Sequence, residues 1–218
     1  MLSAQLIVEL HDQRTSAWHE PQAHIGEDAP SGANAEMDPQ QRAGQDWLYS
    51  VSRQHRANFE LWHIEDEARA PGATDAELAA VKRRVDRTNQ LRNDLAEELD
   101  RVLVGWLEPR GLPQSKAPLN SESPGLIIDR LSILALKIYH TREEATRADA
   151  PPGHAESNRD RLAILEEQRA DLANCLDSLW SETLAGTRRF KLYRQLKMYN
   201  NPSLNPSIYR RHLKEQGR

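Results

Sequence analysis

The chain has 218 residues, of which 28% are charged and 38% hydrophobic, with a mean hydropathy of −0.77 and a net charge of −4. No apolar run approaches the roughly eighteen residues that a membrane span needs, Leu6–Val8 is too short for the core of a signal peptide, and one cysteine, Cys175, excludes an internal disulfide. A membrane-spanning protein and a disulfide-built secreted scaffold are thereby set aside, and a cytoplasmic helical protein is the expectation.

Ser3 to about Glu20 reads as an amphipathic helix with Ser3 as its cap. His24–Pro39 is rich in Gly, Pro, Ala, Asp and Asn and reads as a tether, so residues 1–39 form an accessory unit. A long helix follows from about Pro39 or Gln40 to Arg69, where Pro71-Gly72 stops it. Thr74-x-x-Glu77 is a capping box opening a second long helix that reaches about Leu107. Glu108–Ser123, with three prolines and a glycine, is a crossover loop without secondary structure. Ser123-Pro124 opens a third long helix that ends before Ala150–Gly153. Ser157 caps a fourth, which reaches about Leu184 ahead of Gly186.

Nine Lys/Arg and one acid, Glu215, lie between Gly186 and Arg218, leaving twenty basic and thirty-two acidic residues elsewhere. Such an arm suits phosphate or nucleic acid. The blander expectation is that residues 186–218 pack on, or close over, the acidic body, and nucleic acid is not the expected partner.

The two helical hairpins, 40–107 and 124–185, look like copies at an ungapped offset of 77. His63 falls on His140, Arg53 on Arg130, and Arg92-x-Asp94-Leu95-Ala96 on Arg169-x-Asp171-Leu172-Ala173. The fold expected is all-α: a pseudo-symmetric four-helix bundle spanning 40–185, with an N-terminal helix and a basic C-terminal arm. Arg92 and Arg169 interrupt leucine seams, so each must be paired or must face a cavity. The third long helix is apolar nearly all round except for Asp129, Lys137, His140 and Glu144, which share one face. The matching stripe on the first is Ser52, Glu60, His63 and Glu67.

Four chemistries fit these stripes. In an anion site, Arg92 and Arg169 offer planar forks and Lys137 a point charge to phosphate or carboxylate. His63 and His140 then act as general acid or base, oriented by Asp66 or Asp129. Lys197, Tyr199 and Asn200, in KMYNNPSLNP, close over the site. A di-iron site draws on Glu60-x-x-His63, but Lys137 stands where the copy needs a glutamate. A magnesium-dependent, all-α nucleotide pyrophosphohydrolase would use Glu60, Glu97 and Asp100, and helix one lacks its second glutamate. A partner-binding helical module needs none of this chemistry.

Asn58–Arg69 (NFELWHIEDEAR), Asn89–Asp94, Pro124–Ser132, Lys137–His140, and Lys197–Asn200 with Asn205-Pro206 together resemble a bacterial family of unassigned function, domain-of-unknown-function family 4254. The likeness runs from about Trp47 to Tyr209. It implies a helical bacterial protein and an association with genes for sugar transfer and surface polysaccharide, and it brings no catalytic residues. The functional expectation is binding or turnover of a phosphorylated small molecule, such as a nucleotide, sugar nucleotide or sugar phosphate. That ligand would sit in an intrabundle pocket of Arg92, Arg169, Lys137 and Lys197, with His63 and Asp66 moving a proton. The partner-binding module and the pyrophosphohydrolase, with magnesium, are the alternatives.

Overall fold

A computed structural model describes residues 2–20, 39–194, 196, 203–207 and 210. Among them the chain forms five α-helices: α1 (Ala4–His19), α2 (Pro39–Glu67), α3 (Asp75–Leu107), α4 (Pro124–Thr146) and α5 (His154–Leu184). There is no strand among the described residues, and none of the helices is long and apolar enough to cross a membrane.

Most of the expected boundaries hold. Thr74 and Glu77 make a reciprocal capping box at the start of α3, satisfying two of the four donors a helix N-terminus leaves open. Ser3 caps α1 through the Leu6 amide. One start and one cap differ from expectation. α5 begins at His154 rather than after Ser157, because Gly153 takes a left-handed turn (φ 82°) that only a residue without Cβ adopts cheaply. At α4, Ser123 occupies the cap position, but its hydroxyl donates to Asp100 on α3, and the other Asp100 oxygen accepts the Gly125 amide at 2.7 Å. The cap of α4 is therefore supplied by a neighbouring helix.

The hairpins α2–α3 and α4–α5 are the most extensively packed pairs. Between them lies one continuous core, from Trp47 and Val51 on α2 through Leu99, Leu103 and Leu107 on α3 to Ile128 and Leu131 on α4 and Leu176 and Trp180 on α5. In the last turns of α3 the buried face is carried by Leu103 and Leu107, while Val102 is exposed.

The N-terminal helix is not an outlying accessory. Leu2, Ala4 and Ile7 belong to the same core cluster. α1 runs alongside α2 and α4 in their direction and antiparallel to α5. This course is fixed at one end by the Ala4 amide on Asp177 (2.9 Å), then by Arg169 on Asp12 (2.7 Å), and at its last turn by His19 against His63 and His140.

The start of the C-terminal arm is also anchored. Arg189 pairs with the crossover loop beside Leu119, accepting the Asn120 amide at 2.7 Å, and Phe190 is buried in the core. The crossover loop is correspondingly less featureless than its prolines suggest.

Candidate functional site

A buried polar layer crosses the bundle. Asp129 accepts both guanidinium edges of Arg92 (Nε 2.9 Å, Nη2 2.8 Å) and the amides of Gln54 (2.6 Å) and Asn58 (3.0 Å). Asn58 also donates to Ser132 (2.9 Å), whose hydroxyl meets Nδ1 of His55 at 2.7 Å. Nε2 of His55 reaches the His11 carbonyl and the Thr15 hydroxyl on α1. Because a carbonyl only accepts, Nε2 carries the ring proton and Nδ1 accepts from Ser132. Every helix but α5 contributes, and Asp129 is the shared acceptor, while Oε1 of Gln54 is buried without a partner among the described residues. This is a structural network, and Arg92 and Asp129 are held inside it.

One turn further along, a second layer is aromatic. Phe59 and His63 are four residues apart on α2 and so share a face. Tyr139 and His140 come from α4, and Trp18 and His19 end α1. His19 stacks on Tyr139 (4.3 Å between centroids, 13° between planes), and Trp62 stacks on His140 (4.9 Å, 12°). Phe59 closes the edge against both His19 and His63. The rings of His19, His63 and His140 meet at centroid distances of 5.0–5.9 Å.

Each of the three imidazoles has its Nδ1 engaged. That of His19 meets the Thr15 carbonyl at 2.7 Å, that of His63 the Phe59 carbonyl at 2.8 Å, and that of His140 the Glu143 carboxylate at 2.8 Å. All three partners are acceptors, so each Nδ1 carries hydrogen and each neutral ring turns a bare Nε2 away from its partner. One ring nitrogen from each histidine lies within 4.8 Å of the other two, and among the described residues no other set of three ligand-type side chains comes so close. The Nε2 atoms of His19 and His140 are buried without a hydrogen-bond partner among the described residues. Burial, with lesser contributions from His140 and His63, holds His19 below its ordinary pKa.

His63, half-buried, also lines a groove of about 440 Å³ between α2 and α3. Arg56, Arg84 and Arg87 line it too, with Glu60, Glu67 and Thr88. Arg84 is paired with Glu67. Arg56 donates through Nε to Glu60 (3.1 Å), and its guanidinium lies over Trp18 and Phe59 at 4.9 and 5.1 Å from the ring centroids. Both its Nη groups are without a partner among the described residues.

Of the residues singled out from sequence, His63 and His140 are brought together, Arg92 and Asp129 pair with each other in the polar layer, and the rest are dispersed. Asp66 does not orient His63, whose Nδ1 finds the carbonyl one turn back. It lines a separate cavity of about 340 Å³ with Arg69 and Arg92. Asp129 does not orient His140, a part taken by Glu143. Arg169 is held by Asp12 on α1, and Lys137 faces a wide groove between α4 and α5 beside Asp171 and Cys175. Arg92, Arg169 and Lys137 therefore do not converge on one intrabundle pocket. Lys197, Tyr199 and Asn200 lie outside the described residues. Nor do the carboxylates form a magnesium set. Glu60 is bonded to Arg56, while Asp100 is spent on Ser123 and Gly125, its pKa pushed up to about 6 by burial. Glu97 joins no metal-binding group. Sequence reasoning missed His19, Arg56 and Glu143. Their common signal is Trp18-His19 at the end of an amphipathic helix, which gains meaning only once α1 is docked.

The model of a family described as a protein of unknown function (DUF4254) matches residues 48–192, more than half of the chain, and the chain belongs to that family. The match covers most of α2 and all of α3, α4 and α5, while α1 lies outside it. No curated protein and no solved structure matches the chain.

Proposed function

We propose that the protein binds and turns over a phosphorylated small molecule, not in the bundle interior but in the groove between α2 and α3, in the setting of a bacterial cytoplasm. The observation that carries this reading is Arg56. A guanidinium stacked on two rings and tethered at Nε has lost most of its rotamer freedom before any ligand arrives. Its two remaining Nη groups form a planar fork suited to a phosphate. Arg84 and Arg87 bring two further positive charges against the two carboxylates of Glu60 and Glu67. His63, on the same wall, offers a bare Nε2 able to accept a proton or to bind a cation.

The test is thermal unfolding against nucleotides, sugar nucleotides and sugar phosphates, each beside a carboxylate analogue. A ligand at about a hundred times its dissociation constant adds roughly 2.7 kcal/mol, which raises the midpoint by roughly 5–10 °C for a chain of this size. The shift should appear for one phosphorylated class and vanish in Arg56→Ala and Arg87→Ala. Arg142→Ala, which removes an exposed pair with Glu166, should leave it intact. A flat panel from folded protein would sink the proposal and favour a partner-binding module.

A further inference from the structure

We propose that His19, His63 and His140 form a mononuclear site for a divalent transition-metal ion of the zinc class, with a fourth position left to water or to a ligand oxygen. This goes beyond the arginine groove and rests on the histidines alone. One ring nitrogen of each histidine lies within 4.8 Å of the other two, and because each Nδ1 is engaged elsewhere, Nε2 is the nitrogen each ring leaves for a metal. A ligating histidine characteristically donates its other nitrogen to a carbonyl or carboxylate, which fixes the tautomer and makes the free nitrogen more basic. Here the acceptors are Thr15, Phe59 and Glu143.

Without an ion the arrangement is unfavourable. Among the described residues, Nε2 of His19 and Nε2 of His140 are buried with no partner, and a buried polar group left unsatisfied is costly. The rings cannot readily turn to find one, because Tyr139 and Trp62 stack on His19 and His140. All-nitrogen ligation selects zinc, cobalt, nickel, copper or iron, and disfavours magnesium and calcium, which take oxygen. Metal–nitrogen bonds of 2.0–2.1 Å in a tetrahedron set ligand atoms roughly 3.4 Å apart, so closing from within 4.8 Å asks for movement on the order of an ångström. Three protein ligands with one open position is the plan of a catalytic rather than a structural zinc site. Once its Nε2 is on the ion, His63 is no longer a base. A metal-bound water, its pKa lowered to about 7, supplies the nucleophile or base instead. His63 also lines the arginine groove, which makes that groove the natural approach.

The test uses metal alone, with no phosphorylated compound present. Full-length protein stripped with chelator is titrated with Zn²⁺ calorimetrically, and with Co²⁺ while the visible ligand-field bands are recorded. One ion per chain is expected. His19→Ala, His63→Ala and His140→Ala should each weaken binding at least a hundredfold, Glu143→Gln about tenfold, and His154→Ala not at all. Should the alanine variants fail to fold, side-chain ¹⁵N spectra of the wild type decide. Nε2 signals of three of the eight histidines should move on adding Zn²⁺. No bound ion, or three variants that bind like the wild type, would overturn the site, as would a Zn²⁺ titration that leaves the imidazole signals in place. The arginine groove can fail its own test without affecting this one, and the reverse.

Discussion

Gly125 shows how closely single residues are fitted here. It stands in the first turn of α4, where α4 meets α3, and a Cβ there would overlap the Ala96 carbonyl and lie 2.9 Å from the Asp100 Cγ. Both obstacles are hard to move: one is backbone, and the other is locked by Ser123 and the Gly125 amide itself. Alanine is ordinarily the better helix former by up to about 1 kcal/mol, but overpacking costs about 1–3 kcal/mol and the cap would be strained with it. Gly125→Ala should therefore lower stability by about 2 kcal/mol, a drop of roughly 5 °C in the midpoint. An unchanged or raised midpoint would show that α4 can draw back freely. The arginines illustrate what sequence could and could not say at this scale. Arg92 and Arg169 among leucines had to be paired or open to water, and that much was legible. Their partners were not, because Asp129 lies 37 residues away and Asp12 lies 157, and no local pattern encodes such distances.

At the scale of the helix, α1 is held by buried histidines that must be neutral. His11 and His55 are fully buried and stack at 4.4 Å. Burial lowers both, His11 well below its usual value and His55 to about 3, with Arg169 near the first and Arg14 near the second acting in the same sense. An unfolded histidine titrates near 6.5, so below that pH the unfolded chain binds more protons and stability falls as pH falls. Their contribution is complete above about pH 6.5 and is lost progressively as pH falls, that of His55 toward about pH 3. Asp100 acts oppositely. Its carboxyl, raised to about 6, favours the folded state increasingly as pH drops from 6 to about 4. Two histidines against one aspartate leave a net loss, so the midpoint should decline from pH 6.5 to 4.5. His11→Phe, which removes two ring nitrogens that find no partner among the described residues, should flatten that decline without lowering the midpoint at pH 7. An acid limb as steep as the wild type's would acquit His11. The helices themselves were readable because caps and periodicity are local. The depth at which α1 sits was not, since its short apolar face looks the same whether it lies on a surface or in a core.

The whole molecule depends on that helix more than its family membership suggests. The matched segment, 48–192, contains His63 and His140, which lie 77 residues apart in sequence. His19, the third imidazole, and Trp18, the platform under Arg56, both come from α1 outside it. The offset of 77 therefore disclosed two thirds of the histidine cluster and none of its completion. The same helix closes the core. Ile7 is fully buried and Leu2 nearly so, and burying two such side chains is worth about 3–6 kcal/mol, comparable with the 5–15 kcal/mol that separates a folded domain from its unfolded chain. Removing α1 would also open His55 and the floor of the polar layer to water. A chain lacking residues 1–20 should consequently keep much of its far-ultraviolet helical signal, because α2 to α5 retain their caps and hairpin contacts. It should lose the near-ultraviolet signal of fixed aromatics, bind a hydrophobic dye and unfold without a sharp transition. It should also bind no Zn²⁺ at the histidine site. A truncated chain that unfolds cooperatively at the full-length midpoint would show that the two hairpins close the core unaided, and would return α1 to the accessory standing its sequence suggested.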